Sequence, residues 1–125
     1  MAWTQYASSF SSGSHPRRLT GKVSHVVLKD GNINLEIPLE DILFVRAEHV
    51  YVRIFLRNDQ SLLYRYSLSG FEELVRGLGF LRIHRGYLIN RRAVTGLTGN
   101  SVLIGDHKLP ISRARRAAVR KVLNG

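Results

Sequence analysis

From Val23 to Ile111 apolar residues recur mostly at every second position, and Gly, Asn or Asp interrupts the pattern at short intervals. Side chains alternate across a strand, so this spacing commits the chain to short β-strands joined by tight turns. Val23 to Lys29 and Ile33 to Ile37 flank Asp30-Gly31-Asn32, a hairpin signal. Pro38 to Ile42 is expected as one helical turn with Glu40 and Asp41 in it, followed by a short apolar strand from Leu43 to Ala47. Val50 to Leu56 and Leu62 to Tyr66 make a second hairpin around Arg57-Asn58-Asp59. Phe80 to Ile83 and Tyr87 to Ile89 bracket the loop His84-Arg85-Gly86, and Ala93 to Leu97, Ser101 to Ile104 and His107 to Ile111 form a final meander. Nothing repeats at the longer periods of a solenoid.

Two segments leave this pattern. Phe71, Leu74, Val75 and Leu78 fall at i, i+3, i+4 and i+7, one apolar stripe of a helix expected over Ser67 to Leu78. Ser69 with Glu72 fits a capping box, Ser67 competes as the cap, and Gly77 or Gly79 can end the helix. A last helix is expected after Ser112, whose hydroxyl suits an N-cap. Winding Arg113 to Leu123 helically puts Arg113, Arg116, Arg120 and Lys121 on one side, with Ala118, Val119, Val122 and Leu123 on the other. Arg115 falls among the apolar residues and is expected to lay its stem along them. The fold class is therefore mainly β and antiparallel, with one internal helix and a C-terminal helix.

Residues 1–20 hold five serines, Gly13 and Pro16 and no acidic residue, a composition expected of a flexible tail or linker. Trp3, Tyr6 and Phe10 lie in it without strand-like alternation. The remainder, 21–125, is the size of one domain with a core of its own.

Charge is unevenly spread. Ten of the 19 Lys and Arg lie between Arg82 and Gly125, where Asp106 is the only acidic residue, so most of the +10 net charge sits there. A pI near 10.9 points to a polyanionic partner, because cations that neutralise phosphates release condensed counterions. Arg113, Arg115 and Arg116 are expected in a helix's first turn, where the macrodipole disfavours cations unless an anion sits there. Arg85 can read guanine through two hydrogen bonds, His84 can bond a phosphate or a base or brace its own loop, and Gly86 allows another backbone close. Arg91 and Arg92, beside Asn90, suit backbone phosphates.

Several classes are disfavoured. The chain has no cysteine, hence no disulfide, thiolate zinc site, iron-sulfur cluster or cysteine nucleophile. The five histidines lack metal-ligand spacing, so no metal or other cofactor is expected. Glu40-Asp41 and Glu72-Glu73 are adjacent pairs that would point to different helix faces, and the glycines form neither a P-loop nor a dinucleotide fingerprint, so no enzyme is expected. No apolar run could span a bilayer and no signal peptide is evident, which leads to the expectation of a cytoplasmic protein that does not bind membrane. Two non-enzyme alternatives stay open beside DNA: an RNA-binding β module, and a basic β domain that binds an acidic protein. Exposed stacking aromatics would favour RNA, but Tyr51, Phe55, Tyr64, Tyr66, Phe71, Phe80 and Tyr87 mostly fall on core-phase positions.

Ile37-Pro-Leu-Glu-Asp-Ile-Leu-Phe-Val45, Tyr51-Val-Arg-Ile54, the Ser67 to Leu78 helix, Phe80-Leu-Arg-Ile-His-Arg-Gly-Tyr-Leu-Ile-Asn90 and Leu109-Pro-Ile-Ser-Arg113 occur in an order and spacing that resemble a LytTR-type DNA-binding domain. The most specific part is His84-Arg85-x-Tyr87-x-x-Asn90 followed by Pro110-Ile-Ser-Arg113, within a resemblance covering about residues 22–123. It implies an elongated antiparallel β fold of bacterial transcription regulators, similar to response regulators, whose loops enter successive major grooves of double-stranded DNA. Carried over by position, it implies base contacts from His49, Tyr51, Arg85 and Arg113. The surrounding His84, Arg91, Arg92, Arg115, Arg116, Arg120 and Lys121 would hold phosphates, and tandem repeat sites would suit several reading loops. The resemblance also implies a receiver or sensor domain, usual in the family, expected here as a missing or separate domain. Three positions depart from the family pattern: Arg46 replaces a usual acidic residue, Ala47-Glu48-His49-Val50 a commoner Asp-Gly-Asn-like turn, and Gly86 a usual Ser.

Overall fold

The computed structural model describes residues 25–30 and 32–124; the expected tail, with Trp3, Tyr6 and Phe10, lies outside the described residues, as do Val23, Ser24 and Gly31. Ten strands are described: β1 (His25–Asp30), β2 (Ile33–Pro38), β3 (Ile42–Glu48), β4 (Tyr51–Leu56), β5 (Gln60–Arg65), β6 (Phe80–His84), β7 (Tyr87–Asn90), β8 (Gly96–Leu97), β9 (Ser101–Ile104) and β10 (His107–Pro110). Helix α1 (Leu68–Leu74) separates β5 from β6, and α2 (Arg116–Asn124) closes the described chain. The strands form a five-stranded sheet in the order β5-β4-β3-β7-β6, a β1-β2 hairpin and a three-stranded β10-β9-β8 sheet. Every pairing is antiparallel; short turns between consecutive strands require this in the hairpins, and β3 and β7 pair antiparallel across a longer connection. Among the described residues no helix is long and apolar enough to cross a membrane.

The five-stranded sheet is covered on both faces. On one, Val45, Val52, Ile54, Leu62 and Leu88 pack against Val26, Leu28, Leu35 and Ile37 of the hairpin and Leu68 and Phe71 of α1. On the other, Phe44, Ile83 and Ile89 pack against Val102, Ile104, Leu109, Ile111 and Val119. The neighbours Phe44 and Val45, like Leu88 and Ile89, thus serve opposite cores, which is why β3 and β7 read as unbroken apolar runs. β4 has only alternate residues fully buried, and its sequence alternates accordingly. The Phe44 and Phe55 rings stack with centroids 4.3 Å apart, and the His107 ring meets Phe44 edge-on at 4.9 Å, fastening β10 over the sheet.

Both helices differ from expectation. α1 is shorter: Val75 leaves helical geometry at φ −108°, and Gly77 and Gly79 follow at positive φ. Its stripe is split, with Phe71 and Val75 buried while Leu74 and Leu78 are about two-fifths exposed. Ser67, not Ser69, is the cap, its hydroxyl accepting from the Gly70 N–H at 2.9 Å. At the C-terminal end a 3-10 turn over Arg113–Arg115 precedes α2, so Arg113 and Arg115 stand before the α-helix rather than in its first turn. The Ser112 hydroxyl makes no cap; its carbonyl accepts from the Arg115 N–H at 3.0 Å in the tighter closure of that turn. Arg115 is exposed. Of the expected Ala93 to Leu97 strand only Gly96–Leu97 pairs, because Arg91–Ala93 form another 3-10 turn.

Candidate nucleic-acid interface

Three segments meet at one end of the five-stranded sheet. The β3–β4 turn carries Glu48, His49, Val50 and Tyr51; the β6–β7 turn carries His84, Arg85 and Gly86; and Ser112-Arg113 follows β10. Two main-chain bonds join them: the Ala47 N–H donates to the Gly86 carbonyl at 2.9 Å, and the Ser112 N–H donates to the Ile83 carbonyl at 2.9 Å. The second contact lies at a bulge, since the β6–β7 register shifts between Arg82 and His84. Bulges bend a strand and re-aim its groups at functional edges.

The β6–β7 turn is braced from within. His84 Nδ1 accepts from the Gly86 N–H at 3.0 Å, so the proton of the neutral ring sits on Nε2, which is left as a donor. Tyr87 supports the ring, with centroids 5.7 Å apart in an edge arrangement. Arg82 Nε donates to the His84 carbonyl at 2.8 Å, its Nη2 to the Arg85 carbonyl, and its Nη1 to Glu72 Oε1 at 2.8 Å. The exposed Arg85 side chain has no hydrogen bond or ion pair among the described residues, and neither has exposed Arg113.

The β3–β4 turn is anchored at its root instead. Arg46 and Arg53 face each other across β3 and β4, two like charges that Glu48 separates. Arg53 holds both Glu48 oxygens, Nε to Oε2 at 2.8 Å and Nη2 to Oε1 at 3.1 Å, while Arg46 Nη2 reaches Oε2 at 2.6 Å. These bonds, Arg53's foremost, hold the Glu48 pKa at about 2. The Arg46 guanidinium also lies over the Phe55 ring, 5.1 Å from its centroid. The Arg46 charge is thus met inside the chain. Beyond the root, His49 takes φ 57°, a left-handed conformation that an Asp-Gly-Asn-like turn adopts with less strain. Tyr51 is 38% exposed, outside both cores, unlike Phe71, which is fully buried.

The remaining basic candidates lie elsewhere. Arg91 and Arg92 are exposed at the far end of β7, where Asn90 is a structural clamp: its Nδ2 donates to the carbonyls of Ile42 at 2.9 Å and Leu39 at 3.2 Å, and its Oδ1 accepts from the Arg92 N–H at 3.0 Å. Arg116, Arg120 and Lys121 line a shallow depression on α2 with Gly99 and Asn124, and Arg120 Nη2 donates to the Gly99 carbonyl at 2.8 Å. Sequence reasoning missed three residues of the loop end. Arg65 is exposed and pairs across strands with Tyr51; Arg53 and Arg82 are part-buried and hold the two turns. An arginine inside an apolar strand was the available signal, since such a charge is seldom buried without partners.

The family model of the LytTr DNA-binding domain matches residues 34–124, nearly the whole described chain. The chain belongs to the LytTR DNA-binding domain family. Members of that family are DNA-binding parts of transcription regulators. The fold of this LytTR domain is also that of a solved structure, the LytTr DNA-binding domain of a Bacillus cereus protein named as a methyl-accepting/DNA response regulator. The match covers 82% of this chain and 98% of that one, with a TM-score of 0.66 at 21% identity. No curated protein matches the LytTR chain significantly.

Proposed function

We propose that this chain binds double-stranded DNA sequence-specifically as the DNA-binding part of a bacterial transcription regulator, inserting its turns into major grooves. The observation that carries the reading is the convergence of three separate segments at one end of the sheet, with Arg85 and Arg113 exposed there and unengaged by other described residues. Arg85 and Arg113 are the proposed base readers through bidentate bonds, with His49 and Tyr51 beside them. His84 offers Nε2–H to a phosphate while Nδ1 stays occupied by the turn. Arg91, Arg92, Arg115, Arg116, Arg120 and Lys121 are proposed phosphate contacts, which position a protein on the duplex without reading sequence. Partly buried packing of Phe55, Tyr64, Tyr66, Phe80 and Tyr87 against the two cores removes most stacking platforms and favours duplex DNA over single-stranded RNA.

Selection from a random duplex library, followed by footprinting, tests the reading. A recovered motif bound at least about a hundredfold tighter than random duplex at physiological salt is the expected outcome. Equal affinity for selected and random duplexes overturns it, and preference for single-stranded RNA substitutes the rival.

A further inference from the structure

Arg82 makes three side-chain hydrogen bonds that a phosphate-contact or base-reading role leaves unused. We propose that Arg82, held by Glu72, is the positioning residue of the β6–β7 turn, fixing the main chain from which Arg85 projects. The inference rests on the DNA-reading role of that turn.

Arg82 is only 12% exposed, on an edge strand, and a charge so placed needs a carboxylate and further acceptors. Glu72 supplies the carboxylate from α1, which packs on the same side of the sheet. The other two acceptors are the consecutive carbonyls of His84 and Arg85. A planar guanidinium fork can serve two carbonyls and a carboxylate together, whereas an ammonium on a flexible stem cannot hold all three in one geometry. The His84 side chain then takes the Gly86 N–H, and the Ala47 N–H takes the Gly86 carbonyl. The main chain is thus gripped at each of its three residues, and ordering Arg85 on DNA involves its side chain alone. Such preorganisation lowers the entropic cost of binding.

A role confined to fold stability makes different predictions. Arg82→Lys keeps the net charge and removes the fork; Glu72→Gln, at a side chain 40% exposed, keeps an acceptor for Arg82 and removes the charge of the anchor. In the free protein, amide exchange at Gly86 is expected to accelerate about tenfold in Arg82→Lys, and less in Glu72→Gln, beyond any change at the amides of the central strand β3, which report global loss of stability. On DNA, Arg82→Lys is expected to lower the ratio of selected to random affinity about threefold to tenfold with the salt slope unaltered. In an Arg85→Ala background the same change should cost nothing further, because the side chain being positioned is gone. Unchanged Gly86 exchange in both variants, or equal loss with and without Arg85, overturns the inference. Failure of the wild-type chain to select any duplex overturns the DNA reading instead, while Gly86 exchange still decides the grip on the turn.

Discussion

The β6–β7 and β3–β4 turns sit side by side at one end of the sheet and are built on opposite plans. The first is gripped along its length by Arg82, His84 and Ala47, and its backbone needs no left-handed residue. The second is fastened at its root, by Glu48 and the Ala47–Gly86 bond, and the residues beyond it include a left-handed His49 and a half-exposed Val50. One turn is held along its main chain; the other carries a left-handed residue whose strain the folded surroundings must offset. Under the DNA reading proposed above, this contrast would make Arg85 a fixed reader and His49 and Tyr51 adaptable ones.

The largest expected effect is on the rigid side. Arg85→Ala should weaken binding to a selected duplex by about 1–3 kcal/mol and relax preference at particular bases, whereas Arg91→Ala should weaken all duplexes alike and flatten the salt slope. Titration of all single-base variants of the site distinguishes these patterns; uniform loss in both would erase the difference between reader and anchor.

The root of the other turn responds to acid. Glu48 has its pKa lowered to about 2 in the folded chain, against about 4.3 in an unfolded one. The stabilisation is therefore complete above pH ~4.3 and is lost as pH falls towards 2. With the side chain 30% exposed and screened by water, its size is on the order of 1 kcal/mol. Urea melts between pH 5 and 2.5 should show that part of the acid limb missing in Glu48→Gln; an identical acid limb would mean that the arginines do not rely on this carboxylate.

A smaller and opposite pair of effects is expected at His49. Glycine accepts φ 57° without strain, so His49→Gly should raise stability by about 0.5–1 kcal/mol while weakening DNA binding. Loss of both stability and binding would show that His49 braces the turn. The smallest effect belongs to Gly86→Ala: a Cβ there would meet His84 Nδ1 at 3.5 Å, an ordinary contact, and the backbone is not left-handed. Stability should stay within about 0.5 kcal/mol. A large loss of binding with an intact fold would mean that a partner's backbone approaches Gly86 closely.

The strands were legible because each half-buried strand must alternate and each doubly covered one must run apolar, as β4 and β3 do. Asn58 and Asp59, both at positive φ, mark the β4–β5 turn that their residue types announce. The sequence pattern overstates helix α1 because Leu74 and Leu78 complete a periodic stripe that the sheet does not cover. The candidate site was legible only as parts. Arg85 and Arg113 stand out by charge, but the bonds that bring their segments together are main-chain bonds, which every residue except proline can donate. Arg82 was hidden for a related reason, since two of its three acceptors are carbonyls and the third comes from another element.

Asn90 carries a consequence for how the chain avoids misassembly. Its amide reads the carbonyls of Leu39 and Ile42 across separations of 51 and 48 residues, at the point where β7 begins to leave β3. A one-residue slip of β7 would exchange Leu88 and Ile89 between the two cores at little hydrophobic penalty, because both are aliphatic. The same slip would strand a buried amide and cost about 1–3 kcal/mol. In a strand apolar on both faces, hydrophobicity alone is a poor ruler, and this one polar side chain serves as the registration mark.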